Sequence, residues 1–458
     1  MTTTDKPPVR SGGMRTVGST AVIKVLVMGL SGVLGILTSR VILHSFGTDA
    51  YAQYGLLSSF PTLLPFADLG IAAVVINEVA GSRAPRTDDR VRRTIVTALR
   101  ILMVSGGIMV VVAGVITFFG WWPVLLGKGL VAGGNLTAGL CLVIFGIAVP
   151  LTVGQRILVG LKKTNVQVAS QAIVAPFMLL VISALAMLAI PAGSSLSIVS
   201  YIGNALLSVL CLWIAARALS PQIGQAFRLV FKVRSYRSVA VLNLAWPMLV
   251  QTLAQPIAFQ TDRILISHVG SSQDLSQYNL ASQLFGLVLQ TIAAAGVALW
   301  PIYAGHRAAG RIESPTRPTF WFLGGGLLVG GLLAVLSPWL VDFIAGGRIE
   351  LPPLLLISFV AYVALQAAKY PIGMYMTDKA GLKFQVVPSL LMIPLNLGVS
   401  WLLIAPFGAA GPIIGSALTV LLLQVIPNLR YVSRDLARRR AEGRSAAPAS
   451  SPVDPTAD

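Results

Sequence analysis

An all-α membrane protein, with twelve transmembrane helices in two six-helix pseudo-symmetric lobes around a central cleft, is the fold class predicted by three features of the sequence. Charged residues make up only 11% of the chain, hydrophobic residues make up 55%, and mean hydropathy is +0.80. Soluble chains carry about 25% charged residues. Apolar runs of roughly 18–25 residues, each long enough to cross a bilayer as a helix, recur along the length. Finally, the stretch TSRVILHSFG at 38–47 returns in edited form as TDRILISHVG at 261–270.

The first six spans are placed near 20–44, 51–77, 94–119, 130–153, 165–190 and 195–216. The second six are placed near 239–267, 278–303, 319–344, 353–376, 384–405 and 408–429. This divides the chain into a tail (1–19), a first lobe (20–217), a basic linker (218–238), a second lobe (239–430) and a C-terminal tail (431–458). Pro61, Pro65, Pro150, Pro176, Pro247, Pro256 and Pro394 fall inside spans. Such breaks are tolerated where neighbours or a cavity satisfy the freed backbone groups. The last residues, rich in Ala, Pro and Ser, have too few apolar side chains to fold and are expected to be disordered.

The net charge of +18 is accounted for by where the cations fall. Most of the 34 lysines and arginines occupy alternate loops and both tails, among them Arg83, Arg86, Arg90, Arg92 and Arg93, then Arg228, Lys232, Arg234 and Arg237, and finally Arg430, Arg434, Arg438, Arg439 and Arg440. The intervening loops hold only Lys128 and Arg348. By the positive-inside rule both termini are cytoplasmic, in a multi-pass protein of the cell membrane. One miscounted span would invert every later loop, so the agreement supports twelve. Topology and anionic headgroups account for the charge, and no nucleic-acid partner is implied. No cleavable signal peptide is expected, because the first 20 residues are polar and Arg-containing. Cys141 and Cys211 lie in spans without metal-type spacing and are read as apolar fillers. No cofactor and no metal site are expected. A Walker A motif is absent, and no catalytic cluster has an outer domain to stand on, so an enzyme is not expected.

The internal echo extends past the opening pair. Gln53-Tyr54 meets Gln277-Tyr278, Arg156 and Gly160 meet Lys369 and Gly373, and Gln167 and Pro176 meet Gln385 and Pro394. Span 1 thus matches span 7, span 4 matches span 10, and span 5 matches span 11. Six is an even number, so the two lobes face the same way, related by a pseudo-two-fold axis along the membrane normal. Taken with Phe46-Gly47, Gly55, Asp68-Leu69-Gly70, Asp262, Gly270 and the run from Pro394 and Asn396 to Pro406, Gly408 and Gly411, this arrangement resembles the MOP exporter superfamily. Within it the chain looks most like the polysaccharide-transporter branch, over roughly residues 15–435. The resemblance implies a flippase that carries polyprenyl-pyrophosphate-linked oligosaccharides from the inner to the outer leaflet by alternating access, for cell-surface polysaccharide biosynthesis. A multidrug cation-coupled antiporter of the same superfamily is the alternative. A membrane glycan polymerase or ligase is a third reading, disfavoured by the short outer loops.

Charges inside spans are the candidate site residues, because each costs about 2.5–3.5 kcal/mol at a span centre on insertion scales. Arg40 and Arg263 each precede a loop glycine by about 10 Å of helix. They either snorkel to headgroups or line both walls of the cleft as paired anion-binding groups. Lys24 and Lys369 are the other cationic candidates, with interface anchoring as the plain alternative. Asp68 falls near mid-membrane, where it forms a structural pair or couples transport to protons or sodium; Asp262 shares both readings. Asp262 points about 100° away from Arg263 around a helix, so it need not neutralise it. His44, His268 and His306 are read as interfacial. The expected partners are an anionic lipid-linked oligosaccharide and membrane lipids. Whether assembly proteins bind the cytoplasmic loops is left open.

Overall fold

A computed structural model of the chain describes residues 12–63, 71–232, 261–297, 313–377 and 379–445, together with Leu299, Tyr303 and His306. All regular structure among them is helical. In the first half α1 is Gly12–Phe46, α2 Thr48–Ser58, α3 Ile71–Gly81 and α4 Asp89–Phe118. They are followed by α5 (Gly134–Ala148), α6 (Val153–Gly160), α7 (Thr164–Ser170), α8 (Val174–Met187), α9 (Leu196–Ala218) and the short α10 (Gln222–Leu229). The second half comprises α11 (Asp262–Val269), α12 (Ser272–Val297), α13 (Thr316–Ala345), α14 (Pro353–Tyr375), α15 (Lys379–Phe407), α16 (Ala410–Thr419) and α17 (Ile426–Ser445).

Nine helices among the described residues are long and apolar enough to cross a membrane. They correspond to expected spans 1, 3, 4, 5, 6, 9, 10, 11 and 12. Expected spans 2, 7 and 8 each include residues outside the described set. The outward faces are those of a lipid-embedded protein. Val104, Val111 and Phe118 on α4 and Leu328, Val335 and Trp339 on α13 are exposed in a row that water would not tolerate.

Helices close on one another where glycine removes the side chain. A Cβ on Gly106 of α4 would lie 2.2 Å from the carbonyl oxygen of Gly146 on α5, so these helices meet backbone to backbone. With no water to expel between helices in lipid, such close contact is what holds a membrane bundle together. Three expected spans change helical pitch within their length. Span 4 passes from α5 to α6 through a 3₁₀ turn at Val149–Thr152 that contains Pro150. Span 5 passes from α7 to α8 through a second at Gln171–Ile173. Span 12 passes from α16 to α17 through a π turn at Val420–Val425.

Hydrogen bonds tie the loops into two opposite ends. At the basic end, Arg86 donates to the Ala218 carbonyl, Arg92 to Gln225, and Gln222 to the Asp88 carbonyl. Arg100 of α4 donates to the carbonyls of Leu229, Val230 and Lys232. It therefore satisfies the orphan carbonyls at the C-terminus of α10 and fixes that helix to α4. Tyr375 donates to Asp435 in the second half, holding α14 against α17.

Candidate functional site

The two halves meet at the end opposite the basic loops. Gln283 of α12 accepts hydrogen bonds from Ser39 of α1 (2.7 Å) and Tyr51 of α2 (3.1 Å). Asn279 donates to the Ala52 carbonyl, and Ser276 to the Thr48 carbonyl. Gly55 is required here: a Cβ would fall 2.1 Å from the Asn279 amide nitrogen. The loop before α5 completes the belt. Ser267 donates to the Leu126 carbonyl and accepts from the Gly129 N–H. The His268 ring lies between the carbonyls of Ile264 (2.8 Å) and Val124 (3.0 Å). Arg348 donates to the Leu43 carbonyl. Among the described residues this end is sealed by direct contact between the halves.

Just inside this belt sit the two charged residues that open α11. Asp262 is 1% exposed. Its Oδ2 accepts from the Tyr278 hydroxyl (3.0 Å) and the Ser416 hydroxyl (3.3 Å). Ser416 also contacts Asn396 Oδ1 (3.2 Å), which Thr419 reaches at 3.1 Å. Asn396, Ser400 and Ser416 are fully buried. Asp262 Oδ1 is buried with no hydrogen-bond partner among the described residues. One carboxylate therefore faces an oxygen-rich pocket of neutral groups from α11, α12, α15 and α16.

Arg263 turns elsewhere, as the helical offset of about 100° requires. It is half-buried, its Nε has no hydrogen-bond partner among the described residues, and its charge acts on the phenols of Tyr51, Tyr54 and Tyr278. The guanidinium thus stands among these phenols and is near enough to the Asp262 carboxyl for its charge to act on that group as well.

The other expected site residues are dispersed. Arg40 is half-buried and lies over the Phe343 ring of α13, 4.2 Å from its centroid. Lys24 is exposed on α1 towards the basic end. Lys369 is half-buried on α14, with its ammonium 5.8 Å from the Tyr370 ring. Asp68 lies outside the described residues. Asp262 and Arg263 are thus brought together with Tyr278 and Tyr51, whereas Arg40, Lys24 and Lys369 stand at separate places in the bundle. His44 is exposed beside Gly346, and His306 pairs with Glu313. Cys141 and Cys211 are buried and free. No group of three or more His, Cys, Asp or Glu comes together among the described residues.

Sequence reasoning passed over Gln283, Ser416 and Thr419, which are neutral residues without a motif. Asn396 entered only through the family resemblance. The one available signal was polarity inside apolar spans, since a buried amide or hydroxyl in lipid needs a partner.

No family model matches the chain, and no curated protein matches its sequence. The arrangement of helices resembles that of several solved membrane transporters. Lipid II flippase MurJ in an inward closed conformation superposes with a TM-score of 0.63 at 13% identity, over 93% of this chain and 91% of that one. An inward-facing multidrug resistance MATE family transporter of the MOP superfamily gives 0.61 at 12% identity, over 92% and 99%. The MATE multidrug transporter DinF-BH gives 0.56 at 13%, over 94% and 98%. At these identities the likeness is one of fold.

Proposed function

We propose that this chain is a flippase that moves polyprenyl-pyrophosphate-linked oligosaccharides from the inner to the outer leaflet of the cell membrane. Twelve spans form two lobes, 20–217 and 239–430, joined by the basic linker 218–238, with both termini (1–19 and 431–458) in the cytoplasm. The lobes rock about a central cleft to alternate access. Sugars and pyrophosphate cannot cross hydrocarbon unaided, because each unsatisfied polar group costs several kcal/mol.

The observation that carries the reading is Arg263. Among the described residues its buried Nε has no hydrogen-bond partner, its charge reaches Tyr51 and Tyr54 of the first half, and the neighbouring acid accepts from Tyr278 and Ser416. A cation so placed suits a pyrophosphate and repels the cationic cargo of a multidrug antiporter. Arg40, Lys24 and Lys369 contribute the rest of the cationic path. Asp262, with its free Oδ1, is the site for a proton or sodium ion that couples transport to a gradient. Asp68 has the same assignment or a structural one.

The test is replacement of Arg263, and separately Arg40, by alanine in cells that depend on the chain. Loss of surface glycan with accumulation of the lipid-linked intermediate on the inner leaflet, at normal protein level, is the expected outcome. Undiminished export in Arg263→Ala, or sensitivity to cationic dyes without glycan loss, favours the antiporter.

A further inference from the structure

A second chamber lies wholly within the first half, away from Arg263. It has a volume of about 440 Å³, is open on one side, and is lined by Pro61 of the short helical turn Phe60–Leu63 after α2 and by the spans α5–α6, α7–α8 and α9. That volume falls in the range of about 300–1,000 Å³ that small-molecule sites occupy. Asn204 stands about 12 Å into α9 from its start at Leu196, and Gln155 about 8 Å from the end of α6 at Gly160. Leu196 is at the end opposite the basic loops and Gly160 at the basic end, so the chamber spans the middle of the apolar thickness.

Three amides define its chemistry. Asn204 Nδ2 donates to the Ser200 carbonyl (2.9 Å), and Gln155 Nε2 donates to the Ser208 hydroxyl (3.2 Å). The amide oxygens of both, and the whole amide of Gln171, have no hydrogen-bond partner among the described residues, and Asn204 and Gln171 are exposed. An exposed amide at this depth is tolerated only against water or a polar ligand. Among the described residues no charged side chain lines the space. The rings of Phe145 and Tyr201, edge to face at 6.4 Å, form an aromatic wall.

The backbone points to the same place. The 3₁₀ turn of span 4 contributes Val149 and Thr152 to the lining, and the 3₁₀ turn of span 5 contributes Gln171. Tightened turns within long helices mark functional positions, and irregular backbone at membrane depth is found where it borders a cavity. Both interruptions of these spans open onto one chamber.

We infer that this chamber is a sugar subsite, which holds a neutral glycosyl unit of the cargo through Asn204, Gln155 and Gln171. Amides offer donors and acceptors together, as hydroxyl groups require in return, and aromatic faces suit the C–H face of a sugar ring. A pyrophosphate would need cations, and a cationic drug would need an acid; among the described residues the lining has neither. The sugar assignment rests on the flippase reading above.

The test uses the full chain in nanodiscs and two radiolabelled probes: polyprenyl diphosphate bare, and the same lipid carrying one N-acetylhexosamine. The wild type is expected to prefer the glycosylated lipid. Asn204→Ala and Gln155→Leu should each reduce that preference about 3- to 10-fold, the range of one net hydrogen bond, and leave binding of the bare lipid unchanged. Arg263→Ala should weaken both probes alike. Unchanged preference in both chamber variants overturns the inference while leaving the flippase reading intact. If neither lipid binds the wild type, the flippase reading fails instead. The chamber is then read with free methyl glycosides: Asn204-dependent binding retains it, and no binding ends both.

Discussion

Replacing Gln283 by leucine should open the sealed end. Gln283 is the shared acceptor for the hydroxyls of Ser39 and Tyr51, each 2% exposed and each from the opposite half. Without it the two hydroxyls keep only each other, and one donor stays buried and unpaired for as long as the halves stay together. One unsatisfied buried group costs about 1–3 kcal/mol. Once the halves part, both hydroxyls reach water, so the cost falls on the sealed state alone. The ratio of open to sealed molecules should then rise about 5- to 150-fold. Spin labels at Ala132 and Gln273, exposed on opposite sides of the seam, would report this by double electron–electron resonance as a gain in the long-distance population. Gly55→Ala should move the equilibrium the same way by a different route, because its Cβ collides with Asn279 rather than removing a bond. An unchanged distance distribution in both variants, with the helices intact, would show that this belt does not hold the state and would remove the physical basis assigned here to alternating access.

Two further outcomes follow from charged groups. Asp262→Asn keeps an amide oxygen for Tyr278 and Ser416, so the fold should persist, while stimulation of transport by an imposed sodium or proton gradient in proteoliposomes should vanish; a variant still driven by the gradient would move the coupling elsewhere. At the basic end, the Ser82 hydroxyl (2.6 Å) and the Arg90 N–H (2.9 Å) hold the Asp88 carboxyl below its ordinary range. A carboxylate lowered in the folded state contributes stability above its unfolded pKa near ~4 and loses it as pH falls through the lower folded value. The first turn of α4 should therefore fray only in acid in the wild type but already at neutral pH in Asp88→Ala, read by amide exchange corrected for intrinsic rates.

What the sequence makes legible here is what depends on composition and period. Apolar runs place the helices because each must cover the hydrocarbon thickness, and Pro150 marks the span whose pitch changes. Asp262 and Arg263 stand out because charges are scarce in such runs, and adjacency on a helix separates their directions. The partners of those charges are not legible. Ser416 lies 154 positions from Asp262, and nothing in its neighbourhood distinguishes it from any other membrane serine. The same holds for the amides of the first-half chamber, which are spread over three spans and become a set only when those spans pack. Arg100 is a further case: its place near the basic loops is legible, but the helix end whose carbonyls it caps comes near only through the fold.

The duplicated arginines show why a repeat in sequence need not be a repeat in use. Arg40 lies over Phe343 from the other half, and that ring stands three residues before the Gly346 turn at the sealed end. The contact offsets part of the desolvation of the guanidinium, by about 0.5–2 kcal/mol for a cation over an aromatic face. Because the ring and the cation belong to opposite halves, parting them at this end breaks the contact and returns the cation to the cleft. Among the described residues no aromatic ring covers Arg263, and its buried Nε has no hydrogen-bond partner. On the flippase reading proposed above, Arg40 would be a brace while this end is closed and a second positive wall when the cleft opens. The cargo would then meet one arginine on entry and two on exit, an asymmetry that a symmetric pair of cleft-lining charges would not supply.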